Sequence, residues 1–241
     1  MSDFRHSFSF MADHLGLLWD KTVEHLALSG AAIGVSLAIA VPLGMWLGHL
    51  GRGSFIAINA ANVGRALPSL AMISIGLAIL GLGFLNVMVA LVVLAVPPIL
   101  TNAYVSVAGV DAEARDAARG MGMRPRQIFT SIEFPLALPL LFAGIRTASV
   151  YVVATATLAA IAGGGGLGEI IVDQASYKLS GVLAASIWVA ALALLVDLSL
   201  GGVQYLLTPR GVRRRAPVVG PADRGTRHDP RLETVPGTAP Q

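Results

Sequence analysis

Arg146 and Asp197 are charged residues set inside otherwise apolar runs of the chain. A charge in such surroundings is costly unless it faces protein or water, so each calls for a partner. Arg146 lies about seven residues beyond Pro139, and Asp197 about ten residues before the end of the last apolar run. With a helical rise of about 1.5 Å per residue, the two stand within roughly 5 Å of the same depth. An ion pair is the expectation, with Arg65 as a competing partner and a direct functional role as the alternative.

Little else in the chain could do bond-making chemistry. Cysteine is absent, which excludes disulfides, thiolate catalysis and Cys-ligated metal. His6, His14, His25, His49 and His228 are scattered without metal-ligand spacing. The run Gly163-Gly164-Gly165-Gly166-Leu167-Gly168 lacks the Lys-Ser/Thr that completes a phosphate loop, and no such loop occurs elsewhere. No Ser/His pair or paired Asp lies inside the apolar runs, which argues against an intramembrane enzyme. The site residues expected here are neither catalytic nor metal-binding, and no cofactor is expected on the chain itself.

The elements that carry these residues are apolar. Of 241 residues, 55% are hydrophobic and 13% charged, with mean hydropathy +0.72. A soluble domain carries roughly a quarter charged residues, so the missing charge points to a lipid solvent. A span needs about 20 apolar residues. Five candidates emerge: roughly Leu26–Leu50, Ala66–Leu82 interrupted by Pro68, Phe84–Val107, Pro139–Ala162 and Val182–Leu207. The fold class expected is therefore all-α and integral to a membrane.

Cations set its orientation. Arg52 and Arg65 lie by the first connection, Arg115, Arg119, Arg124 and Arg126 in the third, and Arg210, Arg213, Arg214 and Arg215 after the last span. The opposite side offers Arg5, Lys21 and Lys178. The expected topology has the N-terminus outside and the C-terminus in the cytoplasm. Net charge +3 is thus the positive-inside pattern, and no nucleic acid is implied. Residues 1–25 read as an extracytoplasmic segment without a cleavage site, 26–208 as the transmembrane domain, and 209–241 as a disordered cytoplasmic tail.

The connection from Asp111 to Pro139 is too polar to span and too patterned for a slack linker. Asp111 is a helix N-cap with Glu113 in the first turn. Ala114, Ala117, Ala118 and Met121 fall at i, i+3, i+4 and i+7, giving one small-residue face. Asp111 and Arg115 can pair at i, i+4. Gly120 and Gly122 end this helix, and Pro125 can begin the next. The face suits docking into a groove on another protein; resting on lipid headgroups is the bland alternative.

Asp116-Ala117-Ala118-x3-Gly122-x9-Ile132-x-Phe134-Pro135 resembles the EAA motif of ABC importer permeases, EAA-x3-G-x9-I-x-L-P. Asp stands for Glu at 116 and Phe for Leu at 134, each keeping its chemistry. The likeness runs from about Trp19 to Thr208. Leu67-Pro68-Ser69-Leu70, Pro135–Pro139, Gly144-Ile145-Arg146-Thr147-Ala148 and Gly164–Gly168 resemble the glycine betaine/carnitine/choline branch; methionine-type permeases share much of the layout. The resemblance implies a type I ABC importer permease with a coupling helix in a loop at about 109–135. Ala114, Asp116, Ala117, Ala118, Met121, Gly122, Ile132 and Pro135 would be its ATPase-coupling residues. It also implies a cytoplasmic ATPase dimer carrying ATP and Mg, a second permease subunit, identical or paralogous, and an extracytoplasmic substrate-binding protein. The location implied is the bacterial inner membrane. A non-transporting scaffold is the other alternative, and makes no demand for this motif.

Within that frame, the glycine run reads as a flexible connection ending the fourth span, with an outer gate as the competing reading. Gly30 and Gly34, and the alanines Ala148, Ala154, Ala156, Ala159 and Ala160, point to close helix packing. Pro42, Pro97 and Pro98 lie inside spans, where neighbours can satisfy freed carbonyls. Trp46, Phe84, Tyr104, Phe142, Tyr151, Trp188 and Tyr205 are sparse for a quaternary-ammonium cage, so selectivity for such a solute would rest on the binding protein.

Overall fold

The computed structural model describes residues 2–55, 57, 59, 62, 66 and 68–209, and no strand occurs among them. Arg65 and the tail from Arg210 onward lie outside the described residues. In chain order the helices are α1 (Ser2–Asp13), α2 (Leu15–His49), α3 (Ser69–Leu80), α4 (Phe84–Ala108), α5 (Ala112–Gly120) and α6 (Pro125–Ile128). A π turn (Phe129–Glu133) joins α6 to α7 (Phe134–Thr155), which tightens into a 3-10 segment (Ala156–Ala162) before α8 (Gly168–Val172) and α9 (Gln174–Leu207).

Four stretches are long and apolar enough to cross a membrane: Leu15–His49, Phe84–Ala108, Pro125–Ala162 and Gln174–Leu207. Ser69–Leu80, in the region of the second expected span, is a shorter apolar helix that starts after Pro68. At least half of each apolar window is not buried, and Leu194, Leu195, Leu198 and Leu206 of α9 are all more than half exposed. Such an exterior suits lipid, where only the backbone needs internal partners.

The first span begins eleven residues earlier than its apolar run suggests. Charge does not stop α2, because Lys21 pairs with Glu24 at 2.8 Å and with Glu169 at 2.6 Å. At 1.5 Å per residue α2 is about 52 Å long, so it must project beyond a hydrocarbon core of about 30 Å. The fourth span likewise starts at Phe134 and passes through Pro139 without ending there. The fifth starts at Gln174, capped by Asp173, which accepts a hydrogen bond from the Ser176 amide at 3.1 Å. Hydrogen bonds from Ser176 hold the Asp173 carboxyl below the usual carboxylate range. Lys178 interrupts α9 one turn later with φ +56° and ψ 177°, a conformation costly for a residue with a Cβ.

The core lies between α2 and α4, with α3, α7 and the 3-10 segment packed on it. Leu28, Ala32 and Ala40 meet Ile73, Leu91, Ala95, Ile99, Ala148 and Val152 there. Close approach comes from Gly44 and Gly48: a Cβ on either would stand 2.6–2.7 Å from the carbonyl of Leu100 or Tyr104. Gly30 and Gly34, expected to mark close contacts, instead face open space within this chain. A second cluster joins Leu18 of α2, Val153 of α7, Leu167 just ahead of α8, Ile170 of α8, and Ala185 and Val189 of α9.

The chain gathers two sets of helix ends. At one end, Gly83 N–H donates to Ala162 O at 2.7 Å, and Gly166 N–H to the Glu24 carboxylate at 2.9 Å. The expectation of a flexible glycine connection fails here. Gly163, Gly165 and Gly166 take positive φ, Leu167 and Ile170 are fully buried, and a Cβ on Gly168 would fall 1.9 Å from Thr157 O. The glycines make a tight, packed loop. At the other end, His49, Arg115 and Glu133 meet.

Candidate coupling site

Helix α5 is built by its own sequence. Asp111 accepts a hydrogen bond from the Glu113 amide at 3.0 Å, and Glu113 sits in the first turn where the helix dipole favours acid. The helix ends in a Schellman motif: Met123 N–H donates to Ala118 O at 3.2 Å and Gly122 N–H to Arg119 O at 2.9 Å. That closure needs Gly122 at φ +77°, which few residues other than glycine adopt. Helix α6 then starts at Pro125, with Gln127 Oε1 accepting from the Arg124 amide at 2.8 Å.

The small-residue face is split by its packing. Ala118 is buried, Ala114 is half-buried, and Ala117 is exposed. Met121 is 72% exposed, which leaves a large apolar side chain in the open. The outward arc of α5 is therefore Glu113, Asp116, Ala117 and Gly120, with Met121 beside it. Ala118 seats the helix and offers nothing outward. Asp116 reaches Arg119 at 3.0 Å, but both are about two-thirds exposed, where such a pair adds little stability. Ile132 and Pro135 are half-buried in the turn into α7.

Arg115 does not turn to Asp111 as its spacing suggested. Its Nη2 donates to Val107 O, which also accepts from Val110 N–H, and to Ala108 O, so it caps the last carbonyls of α4. Its Nε lies 2.9 Å from Glu133 Oε1, a charge contact without the alignment of a hydrogen bond. Glu133 is 2% exposed, and its Oε2 lies 2.5 Å from His49 Nδ1. The His49 ring also meets Phe129 edge to face, centroids 5.3 Å apart. One buried carboxylate thus joins the end of α2, the helix α5 and the start of α7. A cleft of about 380 Å³ opens beside it, lined by Gly48, His49, Arg115, Arg119, Met123 and Glu133 among others.

The turn that presents Glu133 follows from Pro135. Proline has no N–H for the helical ladder, and its ring crowds the carbonyl four residues earlier. The chain widens into a π turn, in which Phe134 N–H donates to Phe129 O, and α7 proceeds from there. Such turns often accompany functional positions.

Higher in the bundle, Arg146 of α7 and Asp197 of α9 face each other in two parallel contacts, Nε–Oδ1 at 2.9 Å and Nη2–Oδ2 at 2.6 Å. Gln204 extends the group: its Oε1 accepts from Arg146 Nη1 at 3.4 Å, and its Nε2 donates to Pro139 O at 3.2 Å. Neither Glu133, His49 nor Gln204 was singled out by sequence reasoning. Glu133 had one signal, an acid placed between Ile132 and Phe134-Pro135 at the edge of an apolar run.

A loop of two short helices, capped, closed on a glycine and set between long apolar helices, is the arrangement that the motif implies. Residues 40–213 match the family described as binding-protein-dependent transport system inner membrane component. The chain belongs to this family. It is 36% identical over 210 residues to the choline transport system permease protein OpuBB of Bacillus subtilis, covering 87% of this chain and 97% of that protein. Identity is 38% over 194 residues with the carnitine transport permease protein OpuCB of Listeria monocytogenes, covering 80% and 89%. With the glycine betaine/carnitine/choline permease OpuCB of Bacillus subtilis it is 35% over 206 residues, covering 85% and 95%. Among solved structures, a chain of the methionine ABC transporter MetNI in an inward-facing conformation superposes with TM-score 0.68. That match has 24% identity and covers 81% of this chain and 98% of that one. The fold is that of a type I ABC importer permease, and the protein is a multi-pass inner-membrane permease.

Proposed function

We propose that this permease imports quaternary-amine osmoprotectants of the glycine betaine, choline and carnitine class, driven by a separate cytoplasmic ATPase. The observation that carries the reading is the exposed arc of α5, Asp116, Ala117 and Met121, closed by the Gly122 turn in the loop that bears the family's motif. An ATPase cleft that received this arc could pull on the ends of the long helices. Met121, 72% exposed, supplies an apolar anchor, while Glu113 and Asp116 supply charge at the rim. ATP and Mg belong to the ATPase dimer, and a second permease completes the path. An extracytoplasmic binding protein delivers the solute. The coupling loop faces the cytoplasm, with the N-terminus outside. Arg146 and Asp197 act as a structural tie between α7 and α9. The solute class is supported by relatives named for choline, carnitine and glycine betaine transport at 35–38% identity.

The test is copurification. The permease expressed with its cognate ATPase should retain it, and Gly122→Asp, which cannot hold the turn without strain, should lose it. An ATPase whose activity is indifferent to substitutions at Asp116, Ala117 and Gly122 would sink the coupling reading. Binding of betaine, choline, carnitine and methionine by the partner binding protein then decides the solute, and a preference for methionine would overturn the class proposed.

A further inference from the structure

We propose that Glu133 is a positioning residue that carries the movement of α5 into the span α7. The inference rests on the coupling reading above and concerns what happens after an ATPase has taken hold of α5.

The backbone between α5 and α7 is a poor transmitter. It passes through a glycine at positive φ, the four-residue helix α6 and a widened π turn. Pro135, at the start of α7, removes a donor from the helical ladder on this path. A displacement of α5 can be absorbed at any of these points.

The side chains offer a shorter path. Arg115 sits on α5, and Glu133 is the last residue of the π turn, directly ahead of α7. Their charges are 2.9 Å apart, with the Glu133 side chain 3% exposed and that of Arg115 20% exposed. In low-dielectric surroundings, separating such a pair leaves a buried charge without a partner, which strongly disfavours opening. The contact therefore stays closed as α5 moves, and the start of α7 follows. His49 holds the second carboxylate oxygen and ties the end of α2 to the same point. Arg115 also grips the last carbonyls of α4. Three long helices are thus linked to α5 through one carboxylate and one guanidinium. A pair that served only to fold the loop would need neither the link to His49 nor the grip on α4.

The experiment uses the complete transporter in liposomes, this chain with its ATPase and binding protein, and measures solute uptake per ATP hydrolysed. Glu133→Gln keeps the shape and removes the charge. The expected result is an ATPase that copurifies and hydrolyses ATP as with the unaltered chain, while uptake per ATP falls about tenfold. Glu133→Asp, which keeps the charge, should recover part of the loss. An unchanged ratio of uptake to hydrolysis in Glu133→Gln overturns the proposal. So does loss of the ATPase from that variant, since Glu133 would then shape the docking surface and not transmit from it. Should the Glu133→Gln chain itself fail to fold, His49→Gln leaves the Arg115–Glu133 contact in place and takes over the test. A fall in its uptake per ATP supports the linkage, and an unchanged ratio overturns it. Failure of the coupling reading itself shows separately, as Ala117→Asp complexes that keep a fully coupled ATPase.

Discussion

Single atoms decide where this chain tolerates change. A methyl group at Gly168 would stand 1.9 Å from Thr157 O, with more Thr157 backbone close behind, so nothing flexible can yield. Gly168→Ala should destabilise the fold by about 1–3 kcal/mol or more, as overpacking does, and lower the melting temperature of the purified protein. Gly30→Ala adds the same methyl into open space. It should leave the melting temperature of the isolated chain unchanged or slightly raised, because alanine favours helix over glycine. Arg146 is a residue-scale case of a different kind. Its two parallel contacts to Asp197 use the planar fork of a guanidinium, which lysine cannot reproduce. Both Arg146→Ala and Arg146→Lys should reduce the yield of folded protein. Normal yield with defective uptake in Arg146→Ala would move this pair from the scaffold to the solute path.

Elements show which features of the fold are legible in the residues themselves. The long apolar helices were visible because lipid demands uninterrupted apolar length, and α5 because its cap and glycine closure are local signals. Where the reading failed, the cause was tertiary. The expected first span starts only at Leu26, past Lys21 and Glu24, but Glu169 and Gly166 pair with these two from far along the chain. The glycine run looked slack because composition alone does not reveal that its neighbours leave no room for side chains. Helical spacing allows Arg115 a pair with Asp111, whereas the partner it takes, Glu133, lies in another element. The cap of α5 gives the element-scale prediction. Asp111→Ala removes the oxygen that accepts from the Glu113 amide. It should cost the helix about 1 kcal/mol, seen as faster hydrogen exchange of the first-turn amides, with exchange in α4 unaffected.

At the scale of the whole molecule, charge and coupling both bear on which set of helix ends faces the cytoplasm. The set holding His49, Arg115 and Glu133 also bears Arg52, Arg119, Arg124 and Arg126. The other, where Gly83 meets Ala162 and Gly166 meets Glu24, has Lys21 and Lys178. Cations are retained on the cytoplasmic side during insertion, and an ATPase can reach α5 only from there, so two independent requirements agree. The absence of cysteine makes a direct check possible, since any thiol introduced is the only one. Leu82, 72% exposed in the turn between α3 and α4, reports on one side. Ser131, exposed in the π turn, reports on the other. A membrane-impermeant maleimide should label Leu82→Cys on intact spheroplasts and reach Ser131→Cys only after permeabilisation. The opposite pattern would place α5 outside the cell, away from ATP, and would remove the basis for both the coupling role and the transmission through Glu133.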